Sequence, residues 1–269
     1  MPGLRAVLGS LGAIWLLTEI ADFLFEGAQD WFRAQTALYI GSISTVALLT
    51  FLVRVYEPRS VQFAIPTTNT HLNIKYGNLF DEQADLIVAV NEFFDGDIGQ
   101  VVSPDSVHGQ FIARYFQSHA PTFRAVVDPL LALHLGEDVT RPNLPATKYP
   151  IGTTLMVPIG AQHAFVVALA TTDIQTHRAS TTVANFWLAV TNALESVYHL
   201  NNGRPLALPL IGNGRSSLNL EPQHLLRLLV LAIIDTARKM QLPEKITITL
   251  PEACFDKLDL REIAGTWRK

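Results

Sequence analysis

Three short stretches of the chain combine glycine, amide, hydroxyl, imidazole and aromatic side chains directly after apolar runs. They are Gly77-Asn78-Leu79-Phe80, then Asn91-Glu92-Phe93-Phe94-Asp95 continuing through Gly99 to Ser106-Val107-His108-Gly109, and Gly212-Asn213-Gly214-Arg215-Ser216-Ser217. The third has the character of an anion site. Its glycines let backbone N–H groups approach an oxyanion closely, and Arg215 would add a charge-assisted hydrogen bond. A G-x-G after a strand is as often a plain tight turn, and the third glycine of a dinucleotide fingerprint is missing. Asn91 closes an apolar run, where its amide would either bond a ligand or cap a turn. His108, beside Gly109, suits a helix cap or the core as well as a ligand contact. Phe80, Phe93 and Phe94 would stack on a base or pack inside. Pro251 and Glu252 follow the last apolar run and border the same mouth.

Other chemistries find no support. The eight histidines are scattered, with no HExxH and no Cys/His grouping, so no metal site is indicated. G-x-S-x-G and the P-loop pattern are absent. Asp95-Gly96-Asp97 resembles the start of a calcium loop but lacks the later ligands. Cys254, the single cysteine, rules out an internal disulfide and fits a reducing compartment. The net charge is −4, with no basic block to follow a phosphate backbone, which argues against nucleic acid.

Alternating strand-like and helix-like segments must position these loops. Leu72–Tyr76 and Asp85–Val90 read as strands and Val107–Phe116 as a helix. After a Pro-rich loop, Thr153–Pro158 and Ala164–Ala170 read as a strand pair. Thr182–Tyr198 and Gln223–Lys239 are amphipathic helices, flanking a buried strand Pro205–Leu210, and Lys245–Leu250 is a last strand. The succession predicts an α/β or α+β sandwich with a mixed sheet. In such folds the loops leaving strand ends hold the ligand.

The mean hydropathy of +0.24 with only 16% charged residues is high, and the excess lies near the N-terminus. Ala6–Phe25 is interrupted only by Glu19 and Asp22; Ala34–Val53 carries no charge. Each run has the roughly 20 residues that a helix needs to cross a bilayer. We read residues 1–56 as a transmembrane hairpin, with helices at about 5–25 and 34–54 and a turn near Glu26–Trp31. A connector at 57–70 and a soluble domain at 71–269 follow. Arg5, Arg54 and Arg59 against Glu26 and Asp30 place both termini and the soluble domain in the cytoplasm, with Arg33 opposing. Ala37, Gly41 and Thr45 form a small-residue face, for packing within the hairpin or between protomers. Glu19 and Asp22 share a helix face, lining a water-filled path in an oligomer or snorkelling at the interface.

Taken in order, GNLF (77–80), NEFFD (91–95), SVHGQF (106–111) and the late G-x-G loop (212–214) resemble a macro domain, and specifically that of Thoeris antiphage effectors. The resemblance runs from about Leu72 to the C-terminus. It implies a three-layer sandwich with a mixed sheet, and a non-enzymatic binder of an ADP-ribose derivative. The binding residues it implies are Asn78, Leu79, Phe80, Asn91–Asp95, Ser106–Gly109 and Gly212–Arg215. The ligand would be the product of a TIR-domain enzyme, a histidine–ADP-ribose conjugate for the membrane-bound type; no cofactor is implied. Capture of this signal would make a homo-oligomer rearrange its helices in the bacterial inner membrane, disrupting it and causing abortive infection. A membrane-anchored ADP-ribosyl hydrolase and a membrane scaffold are the alternatives. Two departures matter. Asn78 stands where macro domains carry an aspartate for the adenine amino group. The Gly-rich first phosphate loop is replaced by a stretch holding Glu92, Asp95, Asp97 and Asp105, carboxylates expected to meet ribose hydroxyls or a cationic group.

Overall fold

In the computed structural model, residues 2–25, 27–214 and 218–267 are described, and the chain divides into two units, Met1–Pro58 and Arg59–Lys269. The first consists of α1 (Pro2–Leu24), a short α2 (Ala28–Ala34) and α3 (Thr36–Val55). Two windows, Val7–Leu24 and Thr36–Val53, are long and apolar enough to cross a membrane. The turn expected at Glu26–Trp31 therefore includes a helix, which starts after Gly27 at φ +87°; Glu26 itself lies outside the described residues. The helices α1 and α3 pack together through Ile14 and Thr18 on one side and Tyr39 and Ile43 on the other. The Thr18 and Tyr39 hydroxyls lie 2.7 Å apart. Ala37, Gly41 and Thr45 are exposed on another side of α3, so the small-residue face does not serve the hairpin. Glu19 and Asp22 are exposed as well.

The second unit is built on one mixed sheet. Its strands in chain order are β1 (Ser60–Ala64), β2 (His71–Tyr76), β3 (Asp85–Asn91), then the two-residue pair β4 (Glu137–Asp138) and β5 (Thr147–Lys148), which stands apart as a small ribbon. They continue with β6 (Thr154–Ile159), β7 (Gln162–Thr172), β8 (Ala179–Ser180), β9 (Leu206–Pro209) and β10 (Lys245–Leu250). The sheet order is β1-β2-β10-β9-β3-β7-β6, with β8 paired to β7. The strands β2, β10, β9, β3 and β7 run parallel; β1 and β6 close the edges antiparallel. The segment read as a connector thus contributes an edge strand, Ser60 pairing with Lys75 and Ala64 with His71.

Two helical layers cover the sheet, α4 (Val107–Phe116) and α5 (Ala120–Leu131) on one face, α6 (Val183–Leu200), α7 (Pro222–Lys239) and α8 (Leu260–Trp267) on the other. Period-two alternation sorts the strand residues: Leu86, Val88 and Val90 of β3 meet the first layer, Ile87 the second. The helix α5 occupies the stretch read as a Pro-rich loop. Pro121 sits in its first turn, where a missing N–H costs nothing, and Pro129 lies near its end. At the lower end of β3, buried Asp85 accepts hydrogen bonds from the His163 backbone N–H and the Asn201 amide, each at 2.9 Å. This layered α/β architecture is the one expected, and it directs the carboxyl ends of all five parallel strands to one edge.

Candidate functional site

At that edge lies a cavity of about 1060 Å³. Its wall takes Gly77–Phe80 from the end of β2, Thr249 with Pro251 and Glu252 from β10, and Pro209–Gly214 from β9. It continues with Ala89–Asn91 from β3, and Leu169, Ala170 and Thr176–Ala179 from β7. Gln100–Ser103, Asp105–His108 and Gln110 close it from the side of α4. Four spacings between five strands make a slot roughly 19 Å long, polar at both ends and glycine-lined in the middle.

Most of the residues expected from the sequence meet here. Asn78 caps a 3-10 turn over Leu79–Asp81, its Oδ1 accepting from the Phe80 N–H at 3.0 Å. The oxygen expected to read an adenine amine is therefore already engaged, leaving one lone pair and the amide N–H₂. Leu79 and Phe80 line the cavity, the Phe80 ring edge-on to Tyr115. Ser106 caps α4, accepting from the Gly109 N–H at 3.0 Å and donating to the Ser103 carbonyl at 2.6 Å. Gly109 is required there: a Cβ would lie 2.2 Å from the Ser103 carbonyl oxygen. Gly212, at φ +83°, turns the chain away from β9, and Gly212, Asn213 and Gly214 all face the cavity. Arg215, with Ser216 and Ser217, lies outside the described residues.

The acidic stretch after β3 departs from expectation. Of Glu92, Asp95, Asp97 and Asp105, only Asp105 lines the cavity. Asp95 is fully buried and bidentate to Arg141, at 2.7 and 2.8 Å, and both side chains are at most 1% exposed. Asn91 holds the same carboxylate through its amide at 2.6 Å and accepts from the Asp95 N–H at 3.1 Å. Its side chain is thus committed mainly to the turn, while the residue still borders the cavity. The Glu92 carboxylate accepts from the Thr172 N–H. Phe93 and Phe94 are buried away from the cavity, Phe93 beneath the Arg141 guanidinium at 4.1 Å and Phe94 edge-on to Tyr149. The ion pair with distant Arg141 takes Asp95 out of the cavity wall and leaves Asp105 as the one acid of this stretch that lines it.

His108 is 7% exposed, lines the cavity and packs edge-on against Phe123. Burial lowers its pKa to about 4, against the pull of nearby Asp95, whose backbone it hydrogen-bonds. The ring is neutral at pH 7. Among the described residues Nε2 has no partner, so with the other nitrogen donating to the Asp95 carbonyl it offers a lone pair to a hydroxyl or amide donor.

Sequence reasoning missed Gln100–Ser103 and the segment Thr176–Ala179. The second of these contains Arg178, which among the described residues is the sole lysine or arginine lining the cavity. No motif marks it; only the sheet order brings the end of β7 to this edge.

The architecture is found in solved structures. The Oceanobacillus iheyensis macrodomain carrying a glycine-to-valine substitution, with ADPR, matches at a TM-score of 0.54 and 14% identity, over 78% of this chain and 100% of that one. The same macrodomain with ADP matches at 0.52 and 12%, over 77% and 97%. An asparagine-to-alanine variant matches at 0.52 and 13%, over 79% and 96%. The soluble unit therefore has the macro-domain fold. The family model for the Thoeris protein ThsA, Macro domain, matches residues 72–251, and the chain belongs to that family. No curated protein matches it.

The His108 environment sets a pH dependence. Its folded-state pKa lies below the unfolded value of 6.5, so its contribution is complete above about pH 6.5 and is lost as pH falls toward 4. Between pH 7 and 4.5 this one group should remove about 2–3 kcal/mol of folding stability. Denaturant unfolding of the full chain in detergent, followed by near-ultraviolet circular dichroism, should show a smaller acid loss for His108→Gln. Equal acid sensitivity in both proteins would contradict the assignment.

Proposed function

We propose that this protein is a membrane-bound receptor for an ADP-ribose-derived nucleotide, acting as an antiphage effector. The carrying observation is the 1060 Å³ slot across the carboxyl ends of five parallel strands, with Gly212–Gly214 at its middle. Its length suits a dinucleotide-sized ligand, and the glycine loop suits a diphosphate. Adenosine would lie toward Gly77–Phe80 and Glu252, and the terminal ribose toward Asn91 and His108. The macrodomain neighbours with ADPR and ADP support the ligand class. Membership of the Thoeris family supports a TIR-domain enzyme as the source and histidine–ADP-ribose as the ligand.

Binding without turnover is the reading we favour over hydrolysis. Glu92 and Asp95, the carboxylates beside Asn91, are held by Thr172 and Arg141 and do not face the slot, so neither is placed to act as a general base there. Localisation follows the apolar helices and their flanking arginines: two passes through the bacterial inner membrane, with the macro domain and both termini in the cytoplasm. The exposed Ala37–Gly41–Thr45 face supports packing between copies in a homo-oligomer.

One interaction supports coupling of the slot to the membrane segments. The chain leaves α3 at Val55 and reaches Arg59 after only three intervening residues, Tyr56, Glu57 and Pro58. Arg59 donates from one nitrogen, Nη2, to both carboxylate oxygens of Glu252, at 2.5 and 2.6 Å, and lies over the rings of Tyr76 and Phe255. Glu252 is itself a wall of the slot. A ligand that engages Glu252 therefore competes with Arg59, the first residue beyond the membrane unit, for that carboxylate.

Calorimetric titration of the full-length protein in lipid nanodiscs tests the reading. Saturable binding of histidine–ADP-ribose, with the ligand recovered intact, is expected. No heat with any ADP-ribose derivative would overturn it, and recovery of cleaved ligand would favour the hydrolase. In proteoliposomes, Arg59→Ala should bind ligand and lose ligand-triggered dye release. Release equal to that of the wild type would contradict the coupling role.

A further inference from the structure

Beyond Asn91 the slot ends on a feature that ADP-ribose alone leaves unanswered. The strand β7 runs into a tight arm, Asp173–Arg178, before β8. The Asp173 N–H donates to the Arg178 carbonyl and the His177 N–H to the Asp173 carbonyl, each at 2.9 Å. The Asp173 carboxylate accepts from the Gln175 N–H, the Thr176 N–H and the Thr176 hydroxyl, at 3.0, 2.7 and 2.8 Å. These bonds, with those to Thr176 foremost, hold its pKa below the ordinary carboxylate range. They also hold His177 in the left-handed region at φ +55°. The arm is thus fixed by its own acid, and it presents Thr176, His177 and Arg178 to the slot.

Thr176 is spent on Asp173, whereas His177 Nδ1 and Arg178 are left for a ligand. Arg178 forms no ion pair among the described residues. His177 Nδ1 is buried with no hydrogen-bond partner, as is His108 Nε2. Of the acids on the wall, Glu252 is held by Arg59, and Asp105 lies on the α4 side, just before its cap. A guanidinium fork beside an unpaired imidazole suits a planar or tetrahedral oxyanion.

Position decides which anion. In the sheet order β9 is followed by β3 and then β7, so the arm stands two strand spacings, roughly 10 Å, from the glycine loop. A diphosphate on Gly212–Gly214 places the terminal ribose near Asn91 and leaves the arm to whatever that ribose carries. We propose that the β7 end of the slot is an oxyanion subsite, in which Arg178, with His177, recognises a carboxylate or phosphate attached to the terminal ribose. Asp173 is its positioning residue. This rests on the ADP-ribose reading of the slot and adds the charge of the attached group.

The test compares ligands within each protein. Full-length wild type, Arg178→Gln and Arg178→Lys in nanodiscs are titrated with histidine–ADP-ribose, its histidinamide counterpart, and ADP-ribose bearing a phosphate on the terminal ribose. The wild type should prefer an anionic ligand over the amide by about tenfold or more. The preference should collapse to near unity in Arg178→Gln and survive in part in Arg178→Lys; which anion gains most identifies the source. Wild type binding all three ligands equally, or an unchanged preference in Arg178→Gln, overturns the subsite while leaving the nucleotide reading intact. Wild type that binds none overturns both.

Discussion

Asp95 is the residue on which the ligand-facing edge is assembled. Its carboxylate takes both nitrogens of the Arg141 fork and the Asn91 side-chain N–H, its own N–H donates to Asn91 Oδ1, and its backbone meets His108. A charge with no exposure is tolerable only when paired and fully hydrogen-bonded, and removing one partner leaves the other stranded. That constraint fixes the turn after β3. It sends Phe93 beneath Arg141, lets Phe94 adopt φ +51° in the core, and anchors the first turn of α4. The side of the slot near Asn91 and His108 is therefore held by a buried salt bridge.

The consequence for recognition is a separation of tasks along the sheet. The acidic residues that cluster in the sequence hold the scaffold, whereas cationic character comes from a distant arm. Glu92 and Asp95, the carboxylates nearest Asn91, are tied to the Thr172 N–H or neutralised by Arg141, so of that acidic stretch only Asp105 lines the slot, while His108 Nε2 and His177 Nδ1 are without a protein partner among the described residues. Electrostatics here depends on which charges are spent internally.

Much of the fold was legible. Val107–Phe116 and Lys245–Leu250 coincide with their elements, since Ser106 supplies a cap and β-branched residues alternate in the strand. The helix α5 was hidden by Pro121 and Pro129, which mark a break in composition but are tolerated at helix ends. The strand β1 was hidden because five residues next to an apolar helix carry little alternation. In the site, Asn91, Ser106, His108 and Gly212 were found because each punctuates an element. The role of Asp95 was misread because its partner lies 46 residues away. Arg178 was invisible for a related reason: a polar turn after a strand acquires meaning only once strand order is known.

The central claim is that the slot is filled lengthwise, across the strand order, by one nucleotide. A structure of the full-length protein in nanodiscs with histidine–ADP-ribose tests this most directly. The account predicts density from Gly77–Phe80 to Thr176–Arg178, with the diphosphate against Gly212–Gly214 and the terminal ribose beside His108. A ligand bound outside this slot, or lying with its diphosphate on the Arg178 arm, would contradict it.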